Sequence, residues 1–237
     1  MSLRVESLSA GYGKLQILFD ISFGAKRGEI VAIVGPNGSG KSTLLKAIFG
    51  LASVYSGRVV FEEIDVTRVP PHEKARLGLA YLPQTDNVFL NLSVEENLKI
   101  AAYGLREEEA RERIERVLEF FPFLKKRMEQ KASSLSGGER QMLGLAMVLI
   151  REPKLIMLDE PTAGVAPSIA KWMASHISRL RDEFGKTVLL VEQNARLALS
   201  IADTALLLVS GRVAYFGDAV TLARDPELGS KYVGLSP

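Results

Sequence analysis

The chain has 237 residues, of which 47% are hydrophobic and 24% charged, the composition of an ordinary globular protein. Its 30 basic and 28 acidic residues give a formal net charge of +2, which argues against bulk attraction to nucleic acid or anionic lipid. Without cysteine, disulfides, zinc–thiolate sites and cysteine nucleophiles are excluded. We expect no signal peptide and no membrane span, because no apolar run approaches the roughly 20 residues that a bilayer requires. Any task carried out across a membrane would then require another chain.

The first third of the chain predicts strands and one helix. Apolar runs of strand length occur at residues 4–9, 17–25, 29–34 and 79–82, the first two around a turn at 11–13. The run at 29–34 is almost wholly apolar, which is typical of a strand buried on both faces. A glycine-rich turn follows it and opens a helix predicted at 41–49.

The segment from Ser93 to about Met128 is predicted to be helical and highly charged. One face carries apolar residues at helical spacing: Ile114, Val117, Leu118 and Phe121. Opposite charges lie four residues apart in three pairs: Glu107/Arg111, Glu109/Arg113 and Glu112/Arg116. We interpret the charges as a solvated helix face; a binding role is the alternative.

The second half alternates helices with strands. Strands are predicted at 155–158 and 187–191, a helix through Ile150, another at about 167–184, a hairpin of 205–209 with 213–216, and a small helical tail. The apolar stripe of the helix at 167–184 is expected to be core: Ile169, Met173, Ile177, Leu180 and Phe184. This alternation predicts a mostly parallel sheet with helices on both faces, into which the charged helical block is inserted.

A phosphate-binding loop is predicted at residues 35–43. The residues match the pattern G-x-x-x-x-G-K-[ST] between a buried strand and a helix: Gly35, Pro36, Asn37, Gly38, Ser39, Gly40, Lys41, Ser42 and Thr43. The glycines let backbone N–H groups approach phosphate oxygens, and the helix N-terminus adds a partial positive charge. Lys41 would bridge the β- and γ-phosphates, Ser42 would ligate Mg²⁺, and Thr43 would add a hydroxyl. A flexible Gly/Ser turn is the alternative.

Two acids follow the apolar run at 155–158. Because side chains at the carboxyl end of a parallel strand meet the ligand crevice, Asp159 is a candidate to hold Mg²⁺ through its water shell. Glu160 is the candidate to polarise the attacking water. Taken alone, the pattern also fits an acidic residue that caps the next helix.

A second glycine pair lies in the segment 135–139. Ser136 is a good helix N-cap and Glu139 lies three residues later, which is a capping-box arrangement. Gly137 and Gly138 would cost helix stability there, and their benefit would be close approach to an anion. Two anion sites in one chain suggest a nucleotide held between two subunits; a well-capped helix start is the alternative.

Taken in order, the loop at 35–43, Gln84, the segment 135–139 and the acids at 159–160 resemble the ATPase domain of ABC transporter proteins over the whole chain. In that family, a glutamine after an apolar strand senses Mg²⁺ and connects to the membrane subunit. Gln84, which follows the predicted strand at 79–82, matches this glutamine. An aromatic residue upstream of the loop stacks on adenine, and Tyr12 matches it. The resemblance implies that Ser136 and Gly138, with Gly137 between them, meet the γ-phosphate bound by the opposite subunit.

Two departures from the family pattern narrow the resemblance. The aspartate usually found near Ala166 is missing, and Gln193 stands at the position of the switch histidine. The histidines of the chain, His72 and His176, lie elsewhere and are expected at the surface. Both departures resemble the LivF-like ATPase subunits of branched-chain amino-acid importers. The segments 11–14 and 225–227 are also similar to those subunits.

The resemblance implies a fold of the P-loop NTPase class, an α/β fold with a mostly parallel sheet flanked by helices, an N-terminal antiparallel β subdomain and an inserted α-helical subdomain. We expect one ATPase domain over residues 1–237, with a core at about 1–90 and 155–237 and the helical subdomain at about 91–154.

The implied function is ATP hydrolysis with Mg²⁺ that powers solute import, with Glu160, Lys41 and Gln193 as catalytic residues. The implied partners are integral membrane permease subunits, a second ABC ATPase subunit and, indirectly, a solute-binding protein, on the cytoplasmic side of the cell membrane. A soluble ABC ATPase not coupled to transport and a nucleotide-binding regulator with little hydrolysis are the alternatives.

Overall fold

The strands form two sheets that differ in direction and in burial. The computed structural model describes residues 1–225 and 227–228. The strands are β1 (Leu3–Tyr12), β2 (Leu15–Ala25), β3 (Ile30–Val34), β4 (Ser53–Phe61), β5 (Ile64–Asp65), β6 (Leu79–Leu82), β7 (Leu155–Asp159), β8 (Thr187–Val191), β9 (Thr204–Val209) and β10 (Arg212–Asp218). The helices are α1 (Lys41–Phe49), α2 (Pro71–Leu77), α3 (Val94–Ala101), α4 (Glu107–Phe120), α5 (Pro122–Lys125), α6 (Gly137–Leu149), α7 (Pro167–Asp182), α8 (Ala195–Ile201) and α9 (Ala219–Arg224).

The larger sheet has the order β10-β9-β3-β8-β7-β6 and is parallel except where β10 pairs with β9. Strands β3, β7 and β8 are buried along their whole length, as expected for aliphatic strands covered on both faces. The mostly parallel sheet confirms the predicted fold class. Because parallel strands end at a common edge, the segments after β3, β6, β7 and β8 are brought together there.

Side chains of β3 alternate between two hydrophobic cores. Val31 and Ile33 pack with buried residues of α1, β1 and β2, whereas Ala32 and Val34 pack with buried residues of α6, α7 and α8. The period-2 alternation of a strand therefore places α1 on one face of the sheet and α6, α7 and α8 on the other. Helix α1, which follows the glycine-rich turn, therefore lies between the larger sheet and the strands β1 and β2.

The smaller sheet is antiparallel, with the order β2-β1-β4-β5, and confirms the predicted N-terminal β subdomain. Its strands β1 and β2 are longer than the predicted runs, and they join at Gly13, whose φ of 58° lies in the left-handed region. Strand β4 was not predicted, because only its last three residues are buried and the rest of its pattern does not alternate.

The charged segment folds into α3, α4 and α5 and buries the predicted face against α6 and the sheet. Val117, Leu118 and Phe121 are buried there, which confirms the apolar stripe. Two of the predicted ion pairs form with N–O distances of 2.7 Å, Glu109–Arg113 and Glu112–Arg116. The helical prediction is confirmed, although the helix is broken at Gly104, which has a φ of 83°, and at Pro122.

The prediction that both histidines lie at the surface was wrong for His176. Its ring is only 8% exposed and lies 3.6 Å, centroid to centroid, from the ring of Trp172, while burial lowers its pKa. The stripe of α7 was recognised from its apolar residues, so the polar histidine beside it was assigned to the solvent face. At the end of the same stripe, Phe184 lies beyond α7 and is 45% exposed, contrary to the expectation of core.

Candidate active site

The glycine-rich loop connects β3 to α1 and depends on glycine at both ends. Gly35 has a φ of 145°, and a Cβ atom there would overlap the carbonyl oxygen of Leu208. Gly40 is the N-cap of α1 in the left-handed conformation, with a φ of 100°. The predicted loop and helix are therefore present at the predicted positions, with the helix N-terminus facing the loop.

Two neighbouring elements brace this loop. The Gly211 N–H, in the turn between β9 and β10, donates a 3.0 Å hydrogen bond to the Ser39 carbonyl. A Cβ at Gly40 would lie 2.7 Å from a Leu18 methyl group of β2, so the β subdomain packs directly on the loop. The Ser39 hydroxyl is buried and has no hydrogen-bond partner among the described residues. A buried donor left in this way is suited to an anionic oxygen brought by a ligand.

Lys41 lies across the loop. Its Nζ donates hydrogen bonds of 2.9 Å to the Gly35 carbonyl and 3.0 Å to the Pro36 carbonyl. Burial lowers the pKa of the ammonium group, while Glu160 and Asp159 oppose that shift. The lysine is thus a nearly buried cation whose partners are neutral carbonyls, and an incoming phosphate would be a better partner for it.

Asp159 ends β7, is 3% exposed, and has both carboxylate oxygens bonded. Oδ1 accepts a 2.7 Å hydrogen bond from the Ser42 hydroxyl at the start of α1. Oδ2 accepts a 2.9 Å hydrogen bond from the Tyr81 hydroxyl on β6. Burial, with the neighbouring carboxylate of Asp159, raises the pKa of Tyr81, which keeps this phenol a donor. Tyr81 was not singled out from the sequence, where it reads only as one residue of an apolar strand.

Glu160 follows directly and adopts a strained backbone conformation. Its φ is 47°, a left-handed value that a residue with a Cβ adopts at a cost, and its N–H donates a 2.9 Å bond to the Val191 carbonyl. Its side-chain Oε2 accepts a 2.9 Å bond from the Gln84 amide. The turn after β7 therefore directs the second acid away from the first.

Several of the predicted site residues line one open cleft of about 550 Å³. The described residues that line it are Ile17, Asn37, Gly38, Gly40, Lys41, Ser42, Thr43, Gln84, Glu160 and Gln193. Gln193 is exposed and follows β8, so it reaches the cleft from the strand next to β7. Tyr12 lies at the end of β1 and is 42% exposed; the side chain that β2 contributes to the cleft is Ile17.

Comparisons with known proteins identify the family. The family model described as ABC transporter matches residues 18–163. The chain belongs to the ABC transporter family. It is an ATP-binding and ATP-hydrolysing subunit of that family, and the helix, strand and loop positions above are those of its ATPase cassette.

Similar proteins cover nearly the whole of this ABC ATPase. It is 53% identical to the probable branched-chain amino acid transport ATP-binding protein LivF of Archaeoglobus fulgidus, over 98% of this chain and 99% of that protein. It is 40% identical to the high-affinity branched-chain amino acid transport ATP-binding protein BraG of Pseudomonas aeruginosa, over the same shares. A solved ATP-binding cassette of an ABC transporter in its ADP conformation superposes with a TM-score of 0.87 at 30% identity, covering 96% of both chains.

The Ser-Gly-Gly segment of the ABC ATPase begins α6 and stands apart from the loop cleft. Ser136 and Glu139 form the predicted capping box, with bonds of 3.3 Å and 2.8 Å between each side chain and the other residue's N–H. Gly137 is exposed with open space around its Cα, whereas a Cβ at Gly138 would lie 2.5 Å from an Ile169 methyl group. Packing inside the subunit alone therefore requires a glycine at 138.

Two further polar contacts of the ABC ATPase were not predicted. Gln141 of α6 donates a 3.0 Å bond to the Gln84 carbonyl, which ties the segment after β6 to the Ser-Gly-Gly helix. Glu192, 3% exposed after β8, accepts a 3.0 Å bond from the Thr162 N–H, and burial raises its pKa. Neither residue belongs to a sequence pattern, because each contact joins segments far apart in the chain.

The described part of the ABC ATPase contains no helix that is both long and apolar enough to cross a membrane. Among the same residues, no cluster of three or more His, Cys, Asp or Glu side chains could hold a metal ion. The oxygen donors near the loop are instead the carboxylates of Asp159 and Glu160, the Ser42 hydroxyl and the Gln84 amide. That donor set suits a hard cation that takes most of its oxygens from water and from a phosphate.

Proposed function

We propose that this ABC ATPase binds Mg-ATP at the loop cleft and hydrolyses it to power import of branched-chain amino acids through separate permease subunits. The observation that carries the proposal is the meeting of Lys41, Asp159, Glu160 and Gln193 at one edge of the parallel sheet. They come from the ends of three strands: Lys41 opens the helix after β3, Asp159 and Glu160 stand at the end of β7, and Gln193 follows β8. Such convergence is what phosphoryl transfer needs, since catalysis there depends on positioning and on charge stabilisation.

The loop residues are assigned to the nucleotide phosphates. The backbone N–H groups of the loop after Pro36 and of the N-terminus of α1 would surround them, with the unpartnered Ser39 hydroxyl as an added donor. Lys41 would leave its two loop carbonyls for the β- and γ-phosphates, a charge-assisted exchange. Thr43 opens α1 beside them, and Tyr12 at the hairpin end would stack on adenine.

Ser42, Asp159 and Gln84 are assigned to the metal. The Ser42 hydroxyl lines the cleft and lies 2.7 Å from Asp159 Oδ1 behind it, so the pair would suit one cation held directly by the hydroxyl and through water by the carboxylate. Mg²⁺ would supply charge neutralisation at the transferred phosphoryl group. Gln84 would add an amide oxygen once its bond to Glu160 is released.

Glu160 is assigned to the attacking water. Its carboxylate lines the cleft with Lys41 and is held by a single amide donor, so one oxygen is free to accept a proton from water. Gln193 would donate a hydrogen bond to the γ-phosphate from the neighbouring strand. The Glu160 N–H is bonded to the Val191 carbonyl at the end of β8, which holds the turn that carries Glu160 close to the segment that carries Gln193.

A second ATPase subunit is proposed to complete the site. Ser136, Gly137 and Gly138 do not line the loop cleft among the described residues, so they would act on the nucleotide of an opposing subunit. Exposed Gly137 at the start of α6 offers N–H groups to such an anion. The dimer would sit on permease subunits at the cytoplasmic side of the membrane, with a solute-binding protein as an indirect partner.

The solute assignment follows the relatives. Both relatives compared here carry names that specify branched-chain amino acid transport, and they match from end to end. Affinity purification from native membranes should therefore recover permease subunits, and proteoliposomes with these permeases and the solute-binding protein should accumulate leucine with ATP. Lys41→Ala should abolish ATP binding and uptake, whereas Lys46→Ala, in the same helix, should not. Purification without any membrane protein, with ATPase activity intact, would favour a soluble ABC ATPase instead.

A further inference from the structure

Tyr81 contacts the site without belonging to any motif of the sequence. It is the third residue of β6, which pairs in parallel with β7 so that Tyr81 stands opposite Met157. Asp159 lies two residues further along β7, on the same face of the sheet as the residue opposite Tyr81. A tyrosine is long enough to reach this diagonal neighbour, and its hydroxyl donates a 2.9 Å hydrogen bond to Asp159 Oδ2.

The Tyr81 ring has little freedom to move. It lies in a partly buried position, 5.8 Å from the Phe49 ring at the end of α1, and it packs against the core between α1 and the sheet. The hydroxyl is therefore fixed by the same helix that presents Ser42 at its other end. Because the ring is packed in this way, its hydroxyl has a fixed position relative to β7.

The two hydrogen bonds to Asp159 divide its oxygens between different partners. Oδ2 is taken by Tyr81 and Oδ1 by Ser42, so rotation of the carboxylate would break both bonds. Without the phenol, the carboxylate has only the serine to hold it, and Ser42 is itself assigned to the metal. The Tyr81 hydroxyl, by contrast, bonds to Asp159 Oδ2 and has no assigned part in metal binding, so its position does not depend on the cation.

We propose that Tyr81 is a positioning residue that holds Asp159 with Oδ1 directed at the metal position, and that it thereby sets the affinity of the nucleotide site for its divalent cation. The proposal rests on the assignment of Asp159 to Mg²⁺ in the proposed function. Groups that orient a metal-binding carboxylate typically change metal affinity or activity by about 10- to 100-fold when they are removed. Loss of the Tyr81 hydroxyl should therefore weaken metal binding. The affinity for nucleotide in the absence of metal should not change.

The test measures Mn²⁺ binding in the presence of ADP by electron paramagnetic resonance of the free ion. Tyr81→Phe keeps the ring and its contact with Phe49 and removes only the hydroxyl. It should weaken Mn²⁺ binding about tenfold, with ADP affinity in EDTA equal to wild type. Tyr215→Phe is the matched control, because its hydroxyl also makes one 2.9 Å bond, to the Asp218 carbonyl on β10. That variant should bind Mn²⁺ as wild type does.

A kinetic readout separates positioning from a general loss of structure. In Tyr81→Phe, the Mg²⁺ concentration for half-maximal ATP hydrolysis should rise, and kcat should recover at saturating Mg²⁺. A kcat that stays low at all Mg²⁺ concentrations, or Mn²⁺ binding equal to wild type while Asp159→Asn weakens it, would overturn the role of Tyr81. If Asp159→Asn also binds Mn²⁺ normally, the metal assignment itself fails and the positioning proposal fails with it.

Discussion

The Gln84 side-chain amide donates a 2.9 Å hydrogen bond to Glu160 Oε2. The same residue accepts, through its carbonyl, a 3.0 Å bond from Gln141 of α6. Gln84 therefore contacts both the proposed water-polarising acid and the helix that begins with the Ser-Gly-Gly segment. A displacement of the segment after β6 would change the position of the Glu160 carboxylate. This is a physical route by which a docked membrane partner could act on hydrolysis.

We predict that Gln84→Ala lowers transport more than basal ATP hydrolysis. Loss of the amide removes the contact with Glu160 and the proposed amide ligand of Mg²⁺, but leaves the acid, the loop and Lys41 in place, so hydrolysis at saturating Mg²⁺ should fall less than transport. The quantity to measure is the ratio of solute taken up to ATP hydrolysed in proteoliposomes, and substitutions on the exposed face of residues 93–128 should lower it as well. Gln16→Ala on β2 serves as the control. Transport that falls in strict proportion to hydrolysis in every variant would contradict this coupling role.

Glu160→Gln should bind ATP, hydrolyse it at least about 100-fold more slowly, and elute as an ATP-bound dimer in gel filtration. The amide keeps the shape of the side chain but cannot accept a proton from water. The φ of 47° at this position disfavours any residue with a Cβ about equally, so stability should not change. Glu63→Gln, at an exposed glutamate with a φ of 67°, is the matched control. Monomeric elution with bound ATP would indicate that the partner is a different ATPase chain.

Gln193→Ala should slow single-turnover hydrolysis, because it removes the hydrogen-bond donor that β8 brings to the cleft. Gln193→His should hydrolyse ATP with an added titration near the unperturbed histidine pKa of about 6.5, which glutamine cannot show. Rates measured against pH for wild type and both variants test this. If the alanine variant keeps the wild-type rate, Gln193 has no part in hydrolysis and the switch lies elsewhere.

Gly138→Ala should destabilise the fold, whereas Gly137→Ala should not. The new methyl group at 138 would meet Ile169 at 2.5 Å, and overpacking of this kind costs about 1–3 kcal/mol. Gly137 has open space, so its substitution should stay within about 0.5 kcal/mol of wild type. Urea unfolding of both variants measures this, and Ile169→Leu, which lacks the offending branch, should relieve the cost at 138. Equal stability of the two single variants would show that the packing argument is wrong.

The free energy of unfolding should increase between pH 8 and 10.5, and the increase should be larger in wild type than in Lys74→Met. Lys74 is fully buried and donates a 2.7 Å bond to the Ile48 carbonyl near the end of α1; burial lowers its pKa to about 8. In that pH range the unfolded lysine, with a pKa of about 10.4, holds a proton that the folded one has lost, so raising the pH favours folding, on the order of 2 kcal/mol.

Urea titrations at pH 7.5 and 10 of wild type and Lys74→Met supply the comparison. Lys46→Met, at a lysine of α1 that is not fully buried, controls for the loss of a charge. An equal pH effect in wild type and Lys74→Met would show that Lys74 stays protonated in the folded chain.

The sequence by itself determined the elements whose signals are local. The helix at 41–49 and the strands at 79–82 and 187–191 occur at the predicted residues, because a buried strand or a glycine-rich turn is specified by neighbours in the chain. The residues of the loop and of the end of β7 to which chemistry is assigned could also be singled out from the sequence, since loop glycines, lysine and paired acids have few other uses at such positions.

Tertiary structure alone decided which side chains meet. Tyr81 and Asp159 are 78 residues apart in the chain, and Gln84 and Glu160 are 76 apart, yet each pair shares a hydrogen bond because β6 and β7 are adjacent. The burial of His176 was missed for the same reason, because its ring packs against Phe120 and Phe121 from the helical subdomain. The need for glycine at 138 comes from Ile169 on a different helix. Strand order and helix packing arise from burial summed over the whole chain, and no local pattern of residues encodes that sum.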